Sequence, residues 1–443
     1  MARAEGGELF AKVDRLLDSI LKWVDEAPKS RILLTLLMIN ILAVMPIIAG
    51  YIVSPNPDHE ANTDLDVFRD RAGTILDGDM LYRDTDNVTL TPPVINYLLT
   101  PPMILGDDII VWQLWFAGFT FLTGGIMFLM ISSLASTRVG FAAALFYQSS
   151  PFAVYTAAAM VQDDTILPLF LLFIMVMMLK KLWYRAALFA GIGTMTKLFP
   201  ALVAPLIFFA SNDWKTRFRI VGIGIGSALL ICLPFLIFAG DDFIPFLEFY
   251  LLGKEPVGLT GLEEDIAIAR GMSMWAFLAR VDLVVPTGLL HGLFILSIIG
   301  IWTMVGRGNL DSIRGFSLCI LMIFILYSKI HYGYHLMLLV ALIPWSMHDH
   351  RRILGLFLAA LVARIVHLEW RDYLDLPGGE MIPLLLAIGL WIYWIWWARI
   401  LLKGPDFSEQ WSEDVSQKGM KVVLVSSGLF FCLIFIVRLI IQI

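Results

Sequence analysis

Apolar runs long enough to cross a membrane recur along this chain, and they restrict its fold more than any other feature. A helix needs about 20 apolar residues to cross the hydrocarbon core of a bilayer. Runs near that length recur from residue 32 to residue 441. Hydrophobic residues make up 59% of the sequence and charged residues 16%, which is unlike a soluble domain. The sequence therefore predicts an all-α protein that crosses the membrane many times.

About thirteen segments are predicted to cross the membrane. The segments 186–196 and 198–211 are short and share a break at Lys197-Leu198-Phe199-Pro200, so we expect them to form a hairpin of half-length helices. The predicted spans are 32–53, 109–131, 139–160, 164–180, 186–196, 198–211, 219–239, 283–304, 314–329, 335–347, 353–369, 381–402 and 421–441.

Basic residues mark one face of the predicted protein. The positive-inside rule makes that face cytoplasmic and places the N-terminus there. Residues 1–31 are expected to form an amphipathic helix on the same leaflet, since apolar residues recur at helical spacing from Leu9 to Val24. The basic clusters are 180–185, 215–219, 307–314, 351–352 and 403–421.

Two long acidic loops, 54–108 and 240–282, fall on the opposite, non-cytoplasmic face. A pure channel or carrier does not need two such loops on one face, whereas an enzyme acting at the outer membrane surface does. The net charge of -6 offers no basic surface for nucleic acid. Membrane lipids are the surroundings that this composition predicts.

Asp64 and Asp66 stand out in the first acidic loop. Thr63 and Asp66 have the spacing of a capping box, in which both side chains satisfy amides of the first helical turn. Asp64 is not needed for that cap, so its carboxylate is available as a general base. Both aspartates are candidate catalytic residues, with helix capping and a solvated loop charge as the alternatives.

Lys197 lies at the break between two short apolar segments. An ammonium group there is costly unless it faces a cavity or meets an anion. It can bind an anionic part of a substrate, or it can pair with Asp163 or Asp164, which begin a predicted span on the outer side. Lys197 and Asp163 are therefore candidate substrate-binding residues, and the ion pair stays open as the alternative.

His331, Tyr334 and His335 lie in the segment that joins two predicted spans on the outer side. The two histidines are four residues apart, a spacing that metal sites use, but no acidic third ligand accompanies them at a zinc-protease spacing. Interfacial anchoring is the alternative. Arg270, in the second acidic loop, suits a phosphate group electrostatically. All four are candidate substrate-binding residues, and no metal site is predicted from them.

Five motifs in this order resemble those of the GT-C superfamily of membrane glycosyltransferases, and most closely glycosyltransferase family 87, whose members use polyprenol-phosphate-mannose. Two residues depart from the usual pattern: Phe68 stands where a Tyr is usual, and Thr91 where an aromatic residue precedes Pro-Pro. Both are expected to line the active-site cavity. The motifs are Asp64-Leu65-Asp66-Val67-Phe68, residues 76–82, residues 91–98, Thr196-Lys197-Leu198-Phe199-Pro200 and residues 331–335.

The resemblance implies a GT-C-like bundle of about thirteen helices, with short amphipathic helices in the non-cytoplasmic loops. Four parts are then expected: the interfacial helix 1–31, a catalytic transmembrane domain 32–403, a cytoplasmic loop 404–420 and a last transmembrane helix 421–443. We expect a multi-pass protein of a prokaryotic cell membrane with a non-cytoplasmic active site.

The resemblance also implies an inverting transfer of a hexose, with mannose as the first expectation. The donor would be a polyprenyl- or dolichyl-phosphate sugar and the acceptor a lipid or a glycan. Asp64 would be the base, and Lys197 and His331 would face the cavity. No cofactor is required, although Asp64 and Asp66 leave a divalent cation possible. The alternatives are a transporter or flippase of lipid-linked sugars and a non-catalytic subunit of another transferase.

Overall fold

The computed structural model describes residues 2–53, 64–86, 88–211, 213–248, 271–370, 377–411, 415 and 417–441, and within them it contains helices but no strand. The prediction of an all-α protein is confirmed. Fifteen helices carry labels here: α1 (Ala2–Glu26), α2 (Lys29–Val53), α3 (Leu65–Asp77), α4 (Ile109–Leu134), α5 (Thr137–Ser149), α6 (Leu167–Leu179), α7 (Trp183–Thr194), α8 (Phe199–Ala210), α9 (Trp214–Phe238), α10 (Thr287–Gly306), α11 (Ser312–Leu326), α12 (His335–Ser346), α13 (His350–Trp370), α14 (Met381–Lys403) and α15 (Gln417–Ile441).

Six of the helices in the described ranges, α2, α4, α9, α10, α14 and α15, are long and apolar enough to cross a membrane by length and composition. The chain is therefore an integral membrane protein. The short helices α7 and α8 have 12 residues each and flank the predicted break at Lys197. A total of about thirteen spans stays a prediction.

The predicted span 139–160 is wrong as a single helix. Helix α5 ends at Ser149, and Ser150 is extended. Pro151 has no backbone N–H and restricts the residue before it to extended backbone, so the helix stops there. A short helix, Pro151–Val154, and a π-helix, Tyr155–Ala159, follow it. This interruption shapes the end of the bundle that lies beside α3.

Helix α1 packs against the opposite end of the molecule. Leu21 and Val24 are buried on its inner side. Asp25 pairs with Arg138 at the start of α5 at 2.5 Å, and Lys421 of α15 pairs with Asp14 and Asp18 of α1 at 2.7 and 2.8 Å. These contacts join the first helix to α5 and to the last helix, α15.

Apolar side chains are distributed as expected for a helix bundle in lipid. The middle of the bundle, with α5, α6, α11 and α12, is almost wholly buried. Helices α9 and α10 expose large apolar side chains, such as Leu230 at 71% and Leu296 at 66%. In an integral membrane protein such surfaces face lipid tails, so α9 and α10 lie at the periphery.

Candidate active site

Asp64 lies at the start of α3, and its side chain is exposed. It is the N-cap residue of the helix, but its carboxylate accepts no hydrogen bond from the first turn. The first turn itself is fixed, because Leu65 and Phe68 are buried and the Phe68 ring packs against Trp112 and Phe116 of α4. A rigid helix thus presents an accessible carboxylate.

Asp66 has a different environment. Its side chain is 82% exposed and pairs with Arg69 at 3.4 Å, while Arg69 also holds Asp107 at 3.0 Å. Residues two apart on a helix do not face each other, so Asp64 and Asp66 have different partners. The predicted capping box is wrong about the cap, which is Asp64. Thr63 lies outside the described residues.

Gln162 connects Asp64 to the interruption between α5 and α6. Its Nε2 donates a hydrogen bond to Asp64 Oδ2 at 2.9 Å. Just before it, Val161 is fully buried with a φ of 51°, a left-handed conformation that is strained for a β-branched residue. Gln113 of α4 supports the preceding π-helix by donating to the carbonyl of Ala158 at 2.6 Å. The surrounding structure therefore holds Gln162 in position.

Lys197 lies at the turn between α7 and α8 and meets two buried carboxylates. Its Nζ is 2.8 Å from Asp163 Oδ1 and also contacts Asp164 Oδ1. Asp163 and Asp164 open the 3₁₀ turn before α6. The pairing with acidic residues, which the sequence left open as an alternative, is thus present. The role of Lys197 and Asp163 in substrate binding stays a prediction.

Burial and neighbouring charge perturb this cluster strongly. Burial raises the pKa of Asp164 to about 6. The positive charge of Lys197 opposes this rise, and the Asp163 and Asp64 carboxylates add to it. Burial lowers the pKa of Lys197, but the carboxylates of Asp163 and Asp164 outweigh it, and the net pKa is well above the usual value. Lys197 is therefore charged at neutral pH. Two carboxylates contact this one ammonium group, and the Asp64 carboxylate is close enough to act on Asp164, so the cluster is acidic.

The turn Tyr332–Tyr334 closes one side of the cluster. Lys197 Nζ lies 5.5 Å from the centre of the Tyr334 ring, a cation–π distance. His331 is exposed and its ring packs edge-on against Tyr334 at 5.3 Å. Gly333 lies against the Asp164 side chain, which leaves no space for a Cβ atom. Tyr334 thus lies beside Lys197 and His331 beside Tyr334, and the role of both in substrate binding stays a prediction.

His335 points away from this group into the bundle. Its side chain is buried, its ring stacks on Phe152 at 4.6 Å, and its Nδ1 lies 2.9 Å from the carbonyl oxygen of Tyr332. Four residues of separation did not give the two histidines a shared face, because the turn is 3₁₀ and α12 begins only at His335. Substrate binding by His335 stays a prediction, and Arg270 lies outside the described residues.

Phe68 and Thr91, the two residues that depart from the family pattern, lie in different environments. Phe68 does not line a cavity: it is 3% exposed and packed in the core. Thr91 is partly buried in a polar network, in which it accepts from Arg71 and donates to Asn96, both at 3.0 Å. Three residues on, Val94 N–H donates to the carbonyl of Met195 at 2.8 Å. That bond ties the first loop to the turn that carries Lys197.

A second group of residues, which sequence reasoning missed, lies on the other side of the turn Tyr332–Tyr334. The guanidinium carbon of Arg364 in α13 is 3.2 Å from the centre of the Tyr155 ring and 5.9 Å from that of Tyr332. His367, one turn on, packs against Tyr332 at 5.1 Å. The sequence does contain a signal for this group, because Arg364 is a charged residue inside the apolar segment 353–369.

The comparisons with known proteins agree with the predicted family. The profile of glycosyltransferase family 87 matches residues 90–328, more than half of the 443 residues. None of the curated proteins is a significant sequence relative of this chain.

Solved structures resemble the chain at low identity. ArnT from Cupriavidus metallidurans in the apo state has 14% identity and a TM-score of 0.47, over 85% of this chain and 72% of its own. ArnT bound to undecaprenyl phosphate has 14% identity and a TM-score of 0.48, over 90% and 76%. The apo oligosaccharyltransferase of Archaeoglobus fulgidus has 15% identity and a TM-score of 0.39, over 86% and 56%. Membership in a family therefore rests on the profile.

Proposed function

Because the chain belongs to glycosyltransferase family 87, we propose that it transfers a hexose from a polyprenyl- or dolichyl-phosphate donor to an acceptor on the non-cytoplasmic side of the membrane. Mannose is the first choice of sugar, and the acceptor is a lipid or a glycan. The proposal includes about thirteen spans, a cytoplasmic N-terminus and a prokaryotic cell membrane.

The accessible carboxylate of Asp64 carries this proposal. Helix capping does not occupy it, and Gln162 orients it with one hydrogen bond. The acidic cluster behind it disfavours further negative charge and favours the positive charge of an oxocarbenium-like sugar. A carboxylate base beside an acidic cluster suits the attack of a hydroxyl on an activated sugar carbon.

The proposed reaction is a single inverting displacement. Asp64 takes the proton of the acceptor hydroxyl while that oxygen forms a bond to the anomeric carbon. The bond from that carbon to the phosphate oxygen breaks, and the lipid phosphate leaves with one more negative charge than it had as a diester. A phosphate leaves as a stable anion, so it needs a cationic partner and no proton donor.

Reconstitution tests the proposed function directly. We expect purified protein in liposomes to transfer radiolabelled sugar from a polyprenyl-phosphate donor to an extract of membrane lipids and glycans from its source. Turnover with polyprenyl-phosphate mannose and none with the glucose form would support the choice of sugar. Lipid-linked sugar that crosses the bilayer without any transfer would instead support the transporter or flippase. No transfer and no movement with any such donor would support a non-catalytic subunit.

Metal dependence gives a separate test. The carboxylates of Asp64 and Asp66 have different partners, so they do not form a ready pair of cation ligands. Among the residues that the structure describes, no group of three or more His, Cys, Asp or Glu side chains is placed to hold a metal ion. We expect transfer to keep its rate, within about twofold, in excess EDTA. Loss of transfer with EDTA and recovery with Mg²⁺ or Mn²⁺ would contradict this mechanism.

A further inference from the structure

The acidic cluster around Lys197 raises the question of where the donor phosphate binds. Lys197 was the leading cation in the sequence, but Asp163 and Asp164 already compensate its charge. Other basic side chains of the predicted outer face are also paired with carboxylates: Arg69 with Asp66 and Asp107, Arg83 with Asp84, and Arg280 with Glu380. A leaving phosphate dianion needs a cation whose charge is not compensated in this way.

Arg364 meets that requirement. Within the described part of the chain no carboxylate lies in ion-pair distance of its guanidinium, and its Nη1 is buried without a hydrogen-bond partner. A buried charged group in a membrane protein is costly, and it marks a site for an anion or a polar pathway. The guanidinium lies over the Tyr155 ring, whereas long basic side chains otherwise extend their charged groups into water.

Tyr332 adds a second donor at the same place. Its side chain is fully buried, and its hydroxyl has no hydrogen-bond partner in the described part of the structure. Its ring packs edge-on against Tyr155 at 5.4 Å. An unpaired buried hydroxyl costs free energy unless something binds to it. The guanidinium carbon of Arg364 lies 5.9 Å from the centre of the Tyr332 ring, and a guanidinium together with a phenolic O–H is a donor set that suits phosphate oxygens.

We propose that Arg364 and Tyr332 bind the phosphate of the lipid-linked donor, with Tyr155 holding the guanidinium in place by its ring. This inference rests on the proposed function and identifies the cation that stabilises the leaving phosphate. The turn Tyr332–Tyr334 then separates two halves of the active site. Asp64 and the acidic cluster lie on the side of Tyr334, where the acceptor is deprotonated, and Arg364 lies on the side of Tyr332, where the phosphate leaves.

Binding of undecaprenyl phosphate to the full chain in nanodiscs tests this proposal without turnover. We expect Arg364→Gln to weaken binding of undecaprenyl phosphate about 10- to 100-fold, the loss typical of a charge-assisted hydrogen bond. Binding of undecaprenol, which has the same tail and no phosphate, should be unchanged. Arg280→Gln is the matched control, since it removes an arginine that is already paired, and it should bind both lipids like the unmodified protein.

Tyr332→Phe provides a second test if Arg364→Gln does not fold. It removes one hydroxyl and keeps the ring, and we expect a loss of about 3- to 10-fold for undecaprenyl phosphate alone. Equal binding of undecaprenyl phosphate by the folded Arg364 variant and the unmodified protein would overturn the proposal. An equal loss for undecaprenol would also overturn it, because the residue would then support only packing. Phosphate-dependent binding in a protein without transferase activity would keep this site and reject the proposed function.

Discussion

Asp64→Asn is expected to lower sugar transfer by about 10²- to 10⁴-fold, the range that a general base contributes. The asparagine keeps the size of the side chain and an oxygen that can accept from Gln162, but it cannot take a proton. Because Asp64 is exposed and makes no capping bond, the variant should fold normally. Initial rates with a polyprenyl-phosphate sugar test the expected loss of transfer. Thermal unfolding in the same detergent tests whether the variant folds normally.

Two further variants of α3 sharpen this test. Asp77→Asn removes an exposed carboxylate at the far end of the same helix and should leave the rate unchanged. Asp66→Asn examines the second candidate base. Since Asp66 is paired with Arg69 on a different face, its loss should reduce the rate far less than that of Asp64. Full transfer by Asp64→Asn would remove the base assignment, and a larger loss for Asp66→Asn would move it to that residue.

Lys197→Met is expected to destabilise the protein by about 3–5 kcal/mol, the cost of leaving buried charges without a partner. The sequence left two roles open for Lys197, binding an anionic part of a substrate and pairing with an aspartate. The structure shows the pairing, and a large effect on folding follows because Lys197 compensates two buried carboxylates at once. Denaturation of the detergent-solubilised protein would show the loss as a lower unfolding midpoint.

Two further variants provide a rescue and a control for the Lys197→Met experiment. Adding Asp163→Asn and Asp164→Asn to Lys197→Met removes the uncompensated charges and should recover most of the stability. Lys421 also pairs with two aspartates, but Asp14 and Asp18 are 62% and 47% exposed, so Lys421→Met should change the midpoint much less. A Lys197→Met protein as stable as the Lys421→Met protein would show that the buried ion pairs do not stabilise the fold.

Several features of this molecule were predictable from sequence for clear physical reasons. Hydrophobic segments located the helices because lipid requires continuous apolar surface, and the break before Pro200 separated α7 from α8 as expected. The N-cap was predicted one residue too early, because the structure has Asp64 at that position, and the role of Asp64 as a base stays a prediction.

The features that the sequence did not predict depend on contacts between distant parts of the chain. The π-helix and the strained Val161 are held by Gln113, 45 residues before Ala158, and no local pattern encodes that hydrogen bond. His335 was expected beside His331, but the 3₁₀ turn sends it into the core. Arg364 was within reach of sequence reasoning, since a charge in an apolar span is a functional signal in its own right.

The three-residue cluster of Lys197, Asp163 and Asp164 has an evolutionary consequence. Loss of Lys197 leaves two buried carboxylates without compensation, whereas loss of one aspartate leaves a matched pair, so a lineage that keeps both aspartates cannot lose Lys197 without a large loss of stability. Lys197 should therefore be inherited wherever both aspartates are, and either aspartate should be lost before it. Asp64 and Arg364 are under no such mutual constraint, and each can be lost singly with the fold intact when selection for the activity is relaxed.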